Sequence, residues 1–206
     1  CMDAHPRVGA LGPRLLNEDR SLQSSIRDLP RLSVDVPAIL EVDRWPLVRY
    51  VVQRHGRSRE LYKDDHAGSH EVDWVVGACL LLRREAIEQV GVLDERYFFF
   101  GEEMDLCHRL RQHHWTVMFS ANAEIVHMGG RSASRVPSAR LIWHYNSALR
   151  FYRAHRSPAQ YAILRITIAV AAMVHILSLL LRHRATPGAR SLLSAYAHVL
   201  VRTTAP

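Results

Sequence analysis

The sequence predicts an α/β fold that continues into α-helices, on three observations. From Val8 to Val126, short apolar runs that read as strands alternate with amphipathic stretches that read as helices. Near the middle, Tyr97-Phe98-Phe99-Phe100-Gly101 runs into the acids Glu102, Glu103 and Asp105 and then into a cationic stretch ending at Arg111. Further on, Tyr161 to Leu181 is apolar for long enough to make a helix of about 31 Å. With 206 residues, 48% of them hydrophobic, the chain suits one domain, or one domain with an appendage.

Val8-Gly9-Ala10-Leu11-Gly12-Pro13-Arg14-Leu15-Leu16 alternates small and apolar residues, which predicts a short strand with a turn at Gly12-Pro13. Asn17-Glu18-Asp19-Arg20 then makes a polar hairpin turn before Ser21 to Ser25. Asp28 to Ser58 carries Pro30, Pro37, Pro46 and several arginines, and reads as a loop with a short helix around Trp45 to His55. Asp64-Asp65 sits in the polar run Lys63 to His70, which reads as solvated loop rather than as a metal site.

Val72 to Leu82 has strand character and ends at the amphipathic helix Arg83 to Val90, closed by Gly91. Within that strand-like run, Gly77-Ala78 implies that something approaches the backbone closely, which packing alone would make a helix. The aromatic run predicts a buried extended segment that must turn at Gly101. Glu102, Glu103 and Asp105 then occupy the first turn of a helix reaching His113, where the unpaired N–H groups favour negative charge, while Arg109 and Arg111 sit where cations are favoured. Two readings of the acids stay open: a well-made helix start, or carboxylates set against an apolar wall for general-base work. Trp115 to Phe119 and Ala123 to Val126 read as two further strands, with His127 directly after the second, where active-site loops gather in α/β folds. Leu141 to Arg156 suits an amphipathic helix with a basic face.

Along Tyr161 to Leu181 and the residue after it, the polar Tyr161, Arg165, Thr167, His175, Ser178 and Arg182 fall on one half of a helical wheel. Ile163, Ile166, Val170, Met173, Val174, Leu177, Leu180 and Leu181 fill the other. That pattern predicts a helix lying in a membrane interface, with Arg165, Arg182 and Arg184 meeting headgroups, and its alternative is a helix packed on its own domain. A second short apolar helix follows Pro187-Gly188.

The formal charge of +7 is carried almost wholly by arginine, Lys63 being the one lysine, and points to an anionic partner. Scattered arginines without a recognised motif argue against nucleic acid. Cys1, Cys79 and Cys107 are odd in number and lack metal-ligand spacing, and Cys79 and Cys107 sit inside apolar or helical stretches, which predicts free buried thiols in a reducing compartment. The 13 histidines show no HExxH or clustered spacing.

Asp73-Trp74-Val75-Val76-Gly77-Ala78-Cys79, Val90-Gly91-Val92-Leu93-Asp94-Glu95, Phe99 to Arg111 and Val126-His127-Met128-Gly129-Gly130 together resemble the acceptor half of family 2 inverting glycosyltransferases, in particular rhamnosyltransferase-like members. The resemblance runs from about Pro6 to about Arg156. It implies the C-terminal part of a glycosyltransferase A-type domain over residues 1–156, followed by a membrane-associated helical tail over 157–206. It also implies a nucleotide-binding portion ahead of Cys1, carrying an Asp-x-Asp metal motif that this sequence does not contain.

By the same resemblance, Glu103 stands at the position of the catalytic base, with Glu in place of the more usual Asp, and Glu102 is its neighbouring alternative. Asp73, Trp74, Gly77, Ala78, Asp105 and Arg131 fall where acceptor or donor is bound. His127 falls where a histidine can join a divalent metal (Mg or Mn), held mainly by upstream residues, or touch the diphosphate. The implied partners are a nucleotide-sugar donor and a glycan or polyprenyl-linked acceptor, met at the cytoplasmic face of the membrane during cell-envelope polysaccharide synthesis. A non-catalytic, membrane-peripheral module that keeps only an acceptor-binding surface is the alternative.

Overall fold

The computed structural model describes residues 2–41, 68–129, 135–181 and 187–204. The expected helix at Trp45 to His55, the Asp64-Asp65 pair, Gly130-Arg131 and Arg182 to Arg184 lie outside them. Two compact units emerge: one from residues 2–30, 68–96 and 102–129, the other from 31–41, 97–101, 135–181 and 187–204.

The first unit is built on β1 (Val8–Leu16), whose Val8, Ala10, Leu11, Leu15 and Leu16 are all buried. Burial on both faces suits a central strand. On one side it pairs in parallel with β7 (Thr116–Val126). On the other it pairs antiparallel with β2 (Leu22–Gln23) and with β6 (Leu81–Leu82). β4 (His70–Glu71) adds to the far edge of β7, giving a five-stranded mixed sheet, and β3 (Ile26–Arg27) pairs with β5 (Trp74–Val75) in a two-stranded ribbon. Mixed strands with covering helices agree with the α/β reading.

No turn forms at Gly12-Pro13; β1 runs through it. Proline has no N–H for the ladder, and the register slips there, from Pro13↔Ser120 to Arg14↔Glu124. The extra residues Ala121, Asn122 and Ala123 bulge out of β7, so the two strands expected at Trp115 to Phe119 and Ala123 to Val126 are one irregular strand. Gly12 itself is needed for packing, since a Cβ there would lie 2.7 Å from Val75 Cγ2. The expected strand Val72 to Leu82 breaks into β5 and β6 around an exposed segment at Gly77-Ala78. The polar turn at Asn17 to Arg20 forms as expected, with the Asn17 N–H donating to Ser21 O at 2.9 Å.

α2 (Arg84–Val90) stops at Gly91, whose φ of 81° a side chain would resist, while its N–H donates to Ile87 O at 2.8 Å. α3 (Glu102–Gln112) buries Leu106, Cys107 and Leu110 completely against Ala10, Ile26, Val75, Val117 and Phe119. Burial pushes the Cys107 thiol up to about 12. Cys79, expected to be buried, is half-exposed and free.

The second unit is helical: α1 (Leu32–Ile39), α4 (Pro137–His155), α5 (Pro158–Leu181) and α6 (Pro187–Thr204). α1 replaces the loop expected after Asp28. Pro37 inside it argues against helix by about 3 kcal/mol, but the Tyr152 hydroxyl donates to Asp35 and fastens α1 to α4. α5 opens on a capping box, in which Gln160 N–H donates to Ser157 Oγ and Ser157 N–H to Gln160 Oε1. It packs through Leu164, Thr167, Ile168, Ala171 and Ala172, whereas Ile163, Ile166, Val170, Met173, Val174, Leu177, Leu180 and Leu181 are all exposed. The polar half turns toward the protein's own helices. Arg165 donates twice to Thr203 O, at 3.0 and 2.7 Å, and His175 stacks on Tyr196 with centroids 4.7 Å apart, so Arg165 is engaged within the bundle rather than offered to headgroups.

The aromatic run belongs to this unit and is not a strand. Tyr97 is buried, but Phe98 is 77% exposed, and the rings of Phe98 and Phe99 each lie 5.2 Å from Trp143. Consecutive positive φ values, 70° at Phe100 and 91° at Gly101, end the run immediately before α3. An extended segment cannot hold two such residues.

Candidate active site around Glu103

α3 places its acids by helical geometry. Glu102 and Glu103 stand in the first turn, where the helix dipole favours anions. Glu103 is buried, and its Oε1 accepts the Gly77 N–H at 3.3 Å. The close approach foreseen at Gly77 is made by this side chain: a Cβ on Gly77 would lie 3.3 Å from Glu103 Cβ and 3.4 Å from its Cδ. Gly77 and Ala78 are themselves exposed, so the Glu103 carboxylate sits one residue beneath the surface. Glu102 is half-buried, and its Oε2 is enclosed without a hydrogen-bond partner among the described residues.

Two further acids of the first unit, Asp105 and Asp73, hold the scaffold around this pair. Asp105 Oδ2 pairs with Arg109 Nε at 2.7 Å, and the Arg109 guanidinium donates onward to the carbonyls of Val90, Gly91 and Val92 at the end of α2. Asp73 Oδ2 accepts the Leu29 N–H at 3.0 Å, and its Oδ1 lies 3.2 Å from Arg111 Nη2. Trp74 Nε1 donates to Asp28 O at 2.9 Å. Arg111 also donates to Val72 O at 3.0 Å, so Arg109 and Arg111 tie α3 to the loops on either side of it. The spacing of Asp105 and Arg109, four residues apart on one helix, signals the first of these clamps in the sequence. No sequence pattern signals the second.

His127 follows β7, with its N–H bonded to Leu16 O at 2.9 Å and its ring Nδ1 2.7 Å from Gln23 Oε1. Among the described residues no three His, Cys, Asp or Glu side chains converge to hold a metal ion. They therefore do not by themselves form the divalent-metal site that the resemblance implies, and His127 offers a single nitrogen toward one. Arg131 lies outside the described residues.

The chain is similar to N-acetylglucosaminyl-diphospho-decaprenol L-rhamnosyltransferase of Mycobacterium tuberculosis, from the strains CDC 1551 / Oshkosh and ATCC 25618 / H37Rv. In each case 33% of 165 residues are identical, covering 79% of this chain and 51% of the relative. The chain thus spans about half the length of the curated relatives it matches. The similarity supports a family relationship with glycosyltransferases. No family model matches the chain, and no solved structure matches it significantly.

Proposed function

We propose that this chain is the acceptor-side part of an inverting family 2 glycosyltransferase, moving a sugar from a nucleotide-diphosphate donor to a hydroxyl of a lipid-linked or glycan acceptor in cell-envelope synthesis. The observation that carries the reading is the buried Glu103 carboxylate, held by the Gly77 N–H at the start of α3 directly beneath an exposed backbone segment. Helix α3 and the Gly77 loop would hold it in one orientation before substrate arrives, which is what general-base work requires.

In the reaction the acceptor hydroxyl gives its proton to Glu103. Its oxygen lone pair forms a bond to the anomeric carbon from the face opposite the leaving group, the bond from that carbon to the diphosphate oxygen breaks, and the configuration inverts. The nucleoside diphosphate departs with the bonding pair. A divalent cation, when bound, would supply offsetting charge to that group; among the described residues His127 is the one that the resemblance offers toward it. The name of the mycobacterial relatives specifies rhamnose as the sugar and a decaprenyl-diphosphate-linked N-acetylglucosamine as the acceptor. That favours a deoxyhexosyl donor and a polyprenyl-linked acceptor here.

Helix α5 is long and apolar enough to cross a membrane by length and composition. Its uncovered face, carrying eight exposed apolar residues from Ile163 to Leu181, fits a place against the acyl boundary of the cytoplasmic leaflet, where a prenyl-linked acceptor resides.

The test is Glu103→Gln in the full-length enzyme, which keeps the shape and removes the base. Turnover should fall by about two to four orders of magnitude with donor affinity little changed. Unchanged turnover would remove Glu103 from the role, and a larger loss in Glu102→Gln would move the base one residue back.

A further inference from the structure

A chain of hydrogen bonds runs through the β1–β2 hairpin to the end of β7, and the chemistry at its two ends settles the direction of every link. At one end, Gln23 Nε2 lies 3.2 Å from the carbonyl oxygen of His127 and 2.8 Å from Asn17 Oδ1. A carbonyl only accepts, so the amide nitrogen must face it and the amide oxygen must face the ring. Oε1 of Gln23, 2.7 Å from Nδ1 of His127, then has an acceptor's role only, and Nδ1 must carry the proton.

The other end agrees independently. The Asp19 carboxylate accepts from both the N–H and the hydroxyl of Ser21. With its proton directed there, Ser21 Oγ accepts from Asn17 Nδ2 at 2.9 Å, which turns Asn17 Oδ1 toward Gln23. Protons are thus donated in one sense along the whole line, from His127 to Gln23 to Asn17 to Ser21 to Asp19. Hydrogen bonds aligned in this way polarise one another. The two bonds from Ser21 hold the Asp19 carboxyl below the usual carboxylate range, so the line ends on an anion near neutral pH. Gly129 leaves room for it, because a Cβ there would lie 2.8 Å from Gln23 Nε2.

We propose that Gln23, oriented by Asn17, Ser21 and Asp19, is a positioning residue that fixes His127 in its Nδ1–H tautomer and so leaves Nε2 as an electron-pair donor for a cation or an acidic proton at the strand end. An imidazole in water favours the opposite tautomer, and the partner of one nitrogen decides the state of the other. Why this matters for transfer rests on the reading of His127 given above, but the tautomer itself does not.

Long-range nitrogen–proton correlation NMR on the whole chain at about pH 8, where histidine is neutral, reads the tautomer directly; comparison with His127→Phe identifies the signals. Wild-type His127 should show a pyrrole-like Nδ1 and a pyridine-like Nε2. Gln23→Leu should shift the pattern toward Nε2–H, and Asn17→Ala, which leaves Gln23 in place but frees its amide, should shift it part of the way. A wild-type ring protonated at Nε2, or spectra unchanged in both variants, would overturn the proposal. In the full-length enzyme Gln23→Leu should lower turnover in company with His127→Ala. If His127→Ala leaves turnover intact while the spectra behave as stated, the functional reading of His127 fails and the relay stands.

Discussion

The Gly77 N–H donates to Glu103 Oε1 at 3.3 Å, and the absence of a side chain on Gly77 is what lets the Glu103 side chain lie against it. Alanine at Gly77 would place its Cβ 3.3 Å from Glu103 Cβ, tighter than ordinary contact, so the carboxylate must shift by a few tenths of an ångström. On the proposed role of Glu103 as base, Gly77→Ala in the full-length enzyme should lower kcat by about ten- to a hundredfold with a smaller change in KM, since misplaced catalytic groups lose rate before binding. Steady-state kinetics beside a thermal melt separates this from unfolding. A rise in KM alone would mean that the Gly77 backbone meets substrate rather than positioning Glu103.

Gly12→Ala should destabilise by about 1–3 kcal/mol, because the new Cβ would overlap Val75 in a filled core. Urea unfolding measures the loss. Combining it with Val75→Ala should cost less than the sum of the two changes, because the second relieves the overlap made by the first.

Burial pushes the Asp35 carboxyl above its ordinary value near 3.8, against the opposing pull of the Tyr152 hydroxyl and Arg156. A raised carboxyl pKa means that the native state binds more protons than the unfolded chain between the two values. Stability from this group is therefore greatest below the ordinary value and falls as pH rises through the raised one. Asp35→Asn keeps an acceptor for Tyr152 and removes the titration. Wild type should lose stability relative to this variant from about pH 4 upward, as read by denaturant midpoints across that range. Parallel profiles would place Asp35 in water.

With its thiol pushed up to about 12 by burial, Cys107 should resist alkylation in the native protein at about pH 8 and react once it is unfolded. Peptide mapping of the two samples distinguishes it from the half-exposed Cys79.

Ile166, Val174 and Leu177 are 65%, 59% and 57% exposed, so Glu at all three positions leaves the helix packing untouched. Co-sedimentation with anionic vesicles should then fall by about tenfold or more, with the circular dichroism unchanged. Equal sedimentation of variant and wild type would sink the membrane reading, and recovery from native membranes by detergent alone, never by carbonate, would favour a spanning helix.

Much of this architecture is written locally. The period of the apolar residues marks α2, α4 and α5, because each buries one face, the charges at its two ends mark α3, and Gly91 marks a boundary through its own backbone chemistry. Helix α1 was hidden by Pro37, whose local cost is overridden by the distant Tyr152. Phe98 misled in the other direction: an exposed phenylalanine within an apolar run carries no local sign that it meets Trp143.

The sequence by itself determined the acidic start of α3, the closeness of approach at Gly77 and the split of α5 into polar and apolar halves, since all three follow from periodicity and side-chain size. Only the tertiary structure decided that Glu103 is what approaches Gly77, that Arg109 and Arg111 clamp the loops beside it, and that the apolar half of α5 is the uncovered one. It also decided how Gln23 meets His127, 104 residues away in the chain. Contacts across such separations depend on which strands pair and in what register, and the slip at Pro13 that sets this register here is a property of two strands together, not of either one.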